Sequence, residues 1–308
     1  MEAGELVNVA VNAPHAEEGC PFCRPEEHVN EENVLRADYD EDTEADNDTD
    51  NSSGTLAKNL VERPQGPPRE VPDVEQGEDA PFIEMPMTSA GPREWHDRVY
   101  DAGKVPVLYG AHHVIPGNDG LAKSTLYTKK KLGPVDNGPD VQNVGYNINS
   151  SMNGMWLPGN YAVRPLKGGK QKSWGEMDGA FKKAYAFLAM LDTGRQFHDA
   201  HKPYSGVVKQ ALTDLAELLD QMDDKGCPIC GKGSDPADPP YHLNSRLNAI
   251  SNHLSNFLRR ATRFWKFPMF TSSFAKSYKD YVDERGGLQG ARKELEKLRR
   301  QKRVKGPA

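Results

Sequence analysis

Tyr109-Gly-Ala-His-His-Val-Ile-Pro116 is the stretch on which the reading of this chain turns. It follows Val105-Pro-Val-Leu-Tyr109, a short apolar run that reads as a strand. At the end of a strand neighbouring side chains point to opposite faces, so two adjacent imidazoles can take different tasks. One can hold a metal ion while the other faces a substrate.

Two further stretches share that polar character. Asn147-Ile-Asn-Ser-Ser-Met-Asn-Gly-Met-Trp-Leu-Pro158 ends a loop in Asn153-Gly154 just before a short apolar strand. A buried Asn153 there can hold the loop backbone, bind a metal, or orient an imidazole. His198-Asp-Ala-His201-Lys-Pro-Tyr204 sets two more imidazoles three apart, before a helix expected from about Ser205. On a helical turn that spacing puts both on one face. A single such histidine is more often an ordinary core or surface residue, but the joint occurrence favours a site.

Outward from these motifs the chain divides by charge. Residues 1–90 carry 5 Lys+Arg against 23 Asp+Glu, and residues 91–308 carry 34 against 22, so an acidic lead precedes a basic body. Such a body suits a polyanion partner, although charge runs also serve solubility alone. Asp38 to Asp50 and the prolines at 64, 67, 68, 72 and 81 offer nothing to a core, so 36–92 is expected to be a disordered linker. The expected division is an N-terminal segment 1–35, that linker, a catalytic domain 93–285, and a basic tail 286–308.

Helical spacing begins after Trp174, with Phe181, Ala184, Tyr185, Leu188 and Leu191, then Val208, Ala211, Leu212, Leu215, Leu219 and Met222. A third stripe is Leu243, Leu247, Ile250, Leu254, Phe257 and Leu258, with Arg246, Arg259 and Arg260 placed away from it. A short helix is expected near Leu121–Lys131, and Ala291 to Lys305 reads as a basic helix. No apolar run is long enough for a membrane span and no export signal is recognisable at the N-terminus.

All four cysteines lie in Cys-Pro-x-Cys pairs, Cys20/Cys23 and Cys227/Cys230. Two such pairs complete the four-sulfur shell of structural zinc, and loop closure costs rise only logarithmically with the separation. Disulfides or redox pairs are the competing readings. His15-Ala-Glu17 beside Cys20 superficially matches a zinc deaminase, but the order of elements fails. His96, His242 and His253 lack company, while His15 and His28 only flank the first pair.

Taken together, AHHVIP, NGMWLP and H-K-P-Y resemble, over Tyr109 to Asp220, the AHH branch of the HNH/endonuclease VII nucleases, found widely as bacterial antagonistic toxin domains. The resemblance implies an α+β fold, a ββα-metal core embedded in a mainly helical domain with a structural zinc site. It implies an endonuclease in which His113 is the general base, His112 a metal ligand, Asn153 the central Asn and His201 the closing ligand, with His198 a second candidate. The implied cofactors are Mg²⁺ or another divalent ion for catalysis and Zn²⁺ for structure.

The implied substrate is DNA, with RNA left open, gripped without sequence preference by Lys129, Lys130, Lys131, Lys167, Lys170, Lys172, Arg259 and Arg260. Trp156, Trp174 and Trp265 are assigned to the core. A cognate immunity protein and a secretion carrier follow from the resemblance, as does residence in the producer's cytoplasm before delivery to a target cell's cytoplasm. The contrasting reading is a zinc-stapled nucleic-acid-binding adaptor with structural histidines and no catalysis.

Overall fold

The computed structural model describes residues 1–11, 51–61, 82–84, 104–107, 109–128, 146–160, 174–177, 179–225 and 243–301. Among them helices dominate: α1 (Ala3–Val11), α2 (Ser53–Val61), α3 (Thr125–Thr128), α4 (Gly179–Thr193), α5 (Lys202–Lys225), α6 (Leu243–Leu258), α7 (Ser273–Glu284) and α8 (Leu288–Gln301). The strands are β1 (Phe82–Glu84), β2 (Lys104–Pro106), β3 (Tyr109–His113) and β4 (Gly154–Pro158). β1 and β2 pair antiparallel with Phe82 opposite Pro106, and β3 pairs with β4, each in a two-stranded sheet. The class is α+β, as expected. No described helix is long and apolar enough to cross a membrane.

The described residues gather into two compact units. The first draws on Met1–Pro64, His113–Met155 and Lys202–Phe257. Its centre is α5, whose stripe of Val208, Ala211, Leu212, Leu215 and Leu219 is buried as the 3.6-residue spacing requires. α1 packs on α5, as do α3 and the wide turn Gly117–Leu121. α6 contributes Leu247, Ile250 and Leu254 to the buried set. His253 on α6 approaches Glu5 of α1, Nε2 to Oε1 at 3.8 Å.

α2 corrects the linker expectation, because it lies within the stretch read as disordered. Leu56 and Leu60, four apart, are buried, and the Ser52 hydroxyl accepts the Thr55 backbone N–H at 3.2 Å. That is an N-cap, worth about 1 kcal/mol. The Asn-Ser-Ser-Gly run therefore starts a helix rather than loosening a linker. β1 also falls inside 36–92.

The second unit draws on Gln65–His112, Trp156–His201 and Leu258–Ala308. Its core joins Phe181, Tyr185 and Leu188 of α4 to Tyr278 and Val282 of α7 and to Ala291 and Leu295 of α8. Trp174 meets Tyr185, Phe197 and Phe274 with ring centroids 6.1, 5.8 and 5.9 Å apart, pairs worth about 0.5–1.5 kcal/mol each beyond burial. Ser272 caps α7, accepting from Ala275 N–H at 3.0 Å while donating to the Phe197 carbonyl at 2.6 Å.

Further differences concern boundaries. The strand expected over 105–109 appears as β2 and β3, and the double histidine closes β3, at a strand end as expected. The short helix near 121–131 is the turn Gly117–Leu121 followed by α3. α5 starts at Lys202, with Pro203 in its first turn, where the missing N–H has no intrahelical partner to lose.

Candidate metal centre and the adjacent histidine

Three imidazoles converge in the second unit. His112 comes from β3 and is 2% exposed. His198 is set by its backbone N–H, which donates to the Pro158 carbonyl at 2.7 Å, in a parallel bridge beside Gly159. His201 immediately precedes α5. Ring centroids lie 4.6 Å apart for His112–His198 and 5.2 Å for both His112–His201 and His198–His201. One ring nitrogen from each lies within 4.8 Å of the other two.

The His-x-x-His spacing thus works through extended backbone and a bend, not through a helical turn as the sequence suggested. The segment is held from behind. Gln196 Oε1 accepts the Thr271 N–H at 2.9 Å, Gln196 Nε2 donates to the Met269 carbonyl at 3.2 Å, and Asp199 N–H donates to the Thr271 carbonyl at 3.1 Å. Asp199 Oδ2 accepts from the Trp174 indole at 3.0 Å. No described carboxylate joins the three rings.

In the first unit His113, 8% exposed, faces Asn149: His113 Nε2 and Asn149 Oδ1 are 2.9 Å apart. The direction of this bond follows from a third atom. The backbone N–H of Ser52 donates to the same Asn149 Oδ1 at 3.1 Å. A backbone N–H can only donate, so the atom facing it is the amide oxygen, and that oxygen can only accept from the imidazole. Nε2 carries the hydrogen, and a neutral His113 keeps its lone pair on Nδ1. Asn149 is fixed in turn by Asn59 Nδ2, which donates to its carbonyl at 2.9 Å, and by its N–H to Asn147 Oδ1 at 2.7 Å.

Asn153 has another occupation. Fully buried, its Oδ1 accepts from Ile115 N–H at 2.7 Å and from the Ser251 hydroxyl at 2.9 Å. Its Nδ2 donates to the carbonyls of Ile115 and Ile148 at 3.1 and 2.9 Å. Two donors and two acceptor sites are the whole inventory of a side-chain amide. Asn153 therefore splices two loop backbones and has no lone pair left for a cation, which removes it from the expected ligand set. The Val114 carbonyl accepts from the buried Tyr204 hydroxyl, whose ionisation burial pushes well up.

Cys20, Cys23, Cys227, Cys230, Lys129, Lys130, Lys131, Lys167, Lys170 and Lys172 lie outside the described residues, as do His15, His28, His96 and His242. Arg259 is half-buried and Arg260 exposed just past α6. Arg246 corrects an expectation: placed away from the apolar stripe by the sequence, it is 1% exposed. Leu243 lies about one turn before it on a helix whose apolar stripe is buried, and a long stem buries along such a face. Trp265 is buried, and Trp156 and Trp174 are half-buried.

Asn149 and Ser52 are residues that sequence reasoning did not single out. Asn149 stands among the identical amides of Asn147 and Asn153, and only the fold tells them apart.

With this geometry in view, residues 97–226 match the model of AHH, a nuclease family of the HNH/ENDO VII superfamily with a conserved AHH. The match takes in Ala111-His112-His113, His198, His201 and both amides, so over this segment the chain is similar to that family. No curated protein and no solved structure matches the chain.

Proposed function

We propose that the chain is a metal-dependent endonuclease that hydrolyses the phosphodiester backbone of DNA without sequence preference. The observation that carries this reading is the convergence of His112, His198 and His201 within 4.8 Å, inside a segment matching a nuclease family. His198 and His201 both serve as ligands in this proposal, and Asn153 does not.

Three imidazoles suit a borderline transition ion such as Zn²⁺ or Ni²⁺ better than Mg²⁺, which prefers oxygen ligands. When bound, the ion would neutralise charge building on the phosphate and on the departing 3′ oxygen. His113 is the general base: with its Nε2–H committed to Asn149, Nδ1 receives the proton of the attacking water. Asn149 keeps that tautomer, and Asn153 holds the loop that positions both.

The proposal extends to a role as an antibacterial toxin effector, carried from the producer's cytoplasm into a rival's by a contact-dependent route such as type VI secretion. A cognate immunity protein protects the producer. These points rest on the family resemblance alone. The two Cys-Pro-x-Cys pairs are assigned one structural Zn²⁺ on their spacing.

The test incubates the full chain with supercoiled plasmid and, separately, with RNA, in EDTA or with Mg²⁺, Mn²⁺, Ni²⁺ or Zn²⁺. Nicking with Ni²⁺, Mn²⁺ or Zn²⁺ is expected, falling by about 10²–10⁴-fold in His113→Ala. His198→Ala and His201→Ala should each weaken metal binding measured by calorimetry. Intact plasmid and intact RNA with every ion would overturn the proposal.

A further inference from the structure

From Pro239 to Lys279 the sequence has no Asp or Glu, yet it holds Arg246, Arg259, Arg260, Arg263, Lys266, Lys276 and Lys279. In the second unit the middle of this run, Arg259 to Phe270, connects the end of α6 to α7. It presents two phenylalanines outward, Phe264 at 48% and Phe267 at 67% exposure. A protein surface has little reason to bare two such rings a few residues apart, because apolar area left in water forgoes the gain of burial.

The loop is built rather than slack. Trp265, between the two rings, is buried at 2% exposure, and its indole donates to the Arg260 carbonyl at 2.7 Å. A 3-10 turn spans Thr262–Phe264, and Met269 N–H donates to the Lys266 carbonyl at 2.9 Å. Backbone geometry and one buried indole thus force the neighbours of Trp265 outward. The Arg263 guanidinium lies 4.8 Å over the Phe264 ring, and Lys266 is exposed between Trp265 and Phe267.

The loop also connects directly to the candidate metal centre within its unit. Its end, Met269 to Ser272, makes the hydrogen bonds to Gln196, Phe197 and Asp199 that hold the segment bearing His198.

We infer that Arg263, Phe264, Lys266 and Phe267 form a docking surface for single-stranded nucleic acid, with bases stacked on the two rings and phosphates on the cations. Polyanion complementarity follows from the acid-free run. Exposed aromatic faces select strands whose bases are unstacked, since a duplex offers such faces only at its ends or at the cost of opening a step. The inference deepens the nuclease reading by naming a preference for unpaired substrate, and its test does not depend on catalysis.

Binding is measured by fluorescence anisotropy with the full chain in EDTA, using a labelled mixed-sequence 20-nucleotide DNA strand and the same strand as a duplex. The single strand should bind about tenfold tighter or more. Phe264→Ala/Phe267→Ala should lose about fivefold or more of single-strand affinity while keeping the salt dependence, since stacking and not charge is removed. Arg263→Gln/Lys266→Gln should instead flatten the salt slope by about 1.4, two charges at ~0.7 each.

All four side chains are exposed, so thermal melting of the variants should match wild type. Equal affinity for strand and duplex, or phenylalanine variants that bind as wild type, would overturn the inference. So would phosphatidylserine vesicles that bind the chain through Phe264 and Phe267 while DNA binding is untouched by their removal. A chain that fails to cut but binds strands through these residues would sink only the catalytic reading.

Discussion

Asn149 Oδ1 receives two hydrogens, one from Ser52 N–H at 3.1 Å and one from His113 Nε2 at 2.9 Å, so a backbone amide in α2's cap dictates which nitrogen of His113 is basic. Asn149→Ala should lower cleavage by about 10- to 100-fold, the usual loss when a functional histidine is no longer oriented. Asn149→Asp sets a carboxylate beside the ring, favours imidazolium and raises the base's pKa. With His113 as the proposed base the deprotonated form would be the active one, and the acid limb of the pH–rate profile should move to higher pH. An alanine variant cutting at wild-type rate would remove Asn149 from the machinery.

Asn153 should behave as a structural splice. Asn153→Ala strands the Ile115 N–H and the Ile115 and Ile148 carbonyls, at a cost of about 3 kcal/mol or more. Asn153→Asp aims an oxygen at two carbonyl oxygens and should be no better. A cation ligand would respond the other way, since carboxylate binds metal at least as well as amide. Denaturant unfolding of both variants, beside metal calorimetry, separates the two behaviours.

Gly154 lies under α2. A Cβ there would sit 2.7 Å from Leu56 Cδ1 and 2.9 Å from Leu60 Cδ2. Gly154→Ala should cost about 1–3 kcal/mol by overpacking. Shortening Leu56 to alanine in the same chain should return part of that loss, so the two substitutions should be measurably non-additive in unfolding midpoints. Strict additivity would mean that α2 does not rest on Gly154.

Alkali should unfold the protein from within. Burial pushes the hydroxyl pKa values of Tyr146, Tyr204 and Tyr278 well above their ordinary value of 10.0. The folded state thus favours the neutral phenol, and the unfolded chain releases its proton first. That contribution is complete below the ordinary value and drains away as pH rises beyond it. Urea midpoints should hold steady to about pH 9 and decline above about pH 10. Tyr146→Phe should lessen the decline, and an undiminished slope would exclude this tyrosine as a source.

Much of this was legible in the residues. The stripes of α4, α5 and α6 obey 3.6-residue spacing closely enough to place those helices within a few residues. His112, His198 and His201 stood out because paired imidazoles are rare and carry chemistry. α2 was hidden because only Leu56 and Leu60 break an acidic, proline-rich stretch, and a serine cap looks like linker until something packs above it. α7 was hidden for a similar reason: Ala275, Tyr278 and Val282 are buried at helical spacing among serines and lysines.

The amides show a harder limit. Asn147, Asn149 and Asn153 have identical chemistry, and the strand context made Asn153 the conspicuous one. Which of them touches an imidazole depends on partners about a hundred residues away: Ser52 lies 97 positions from Asn149, and Ser251 lies 98 from Asn153. Local pattern has no access to such pairings. The buried Arg246 illustrates the same point, since a periodicity argument assigns every cation to the wet side.

Ser52 and Ser251 both fall outside the 97–226 stretch that defines the family match. A transplant of that stretch into another scaffold would bring the histidines along and leave their props behind. Domain boundaries drawn from likeness alone would therefore yield a protein with the right letters and an unsupported His113. A minimal working fragment must include Ser52 and run through α6, so it cannot stop at the bounds that the likeness draws.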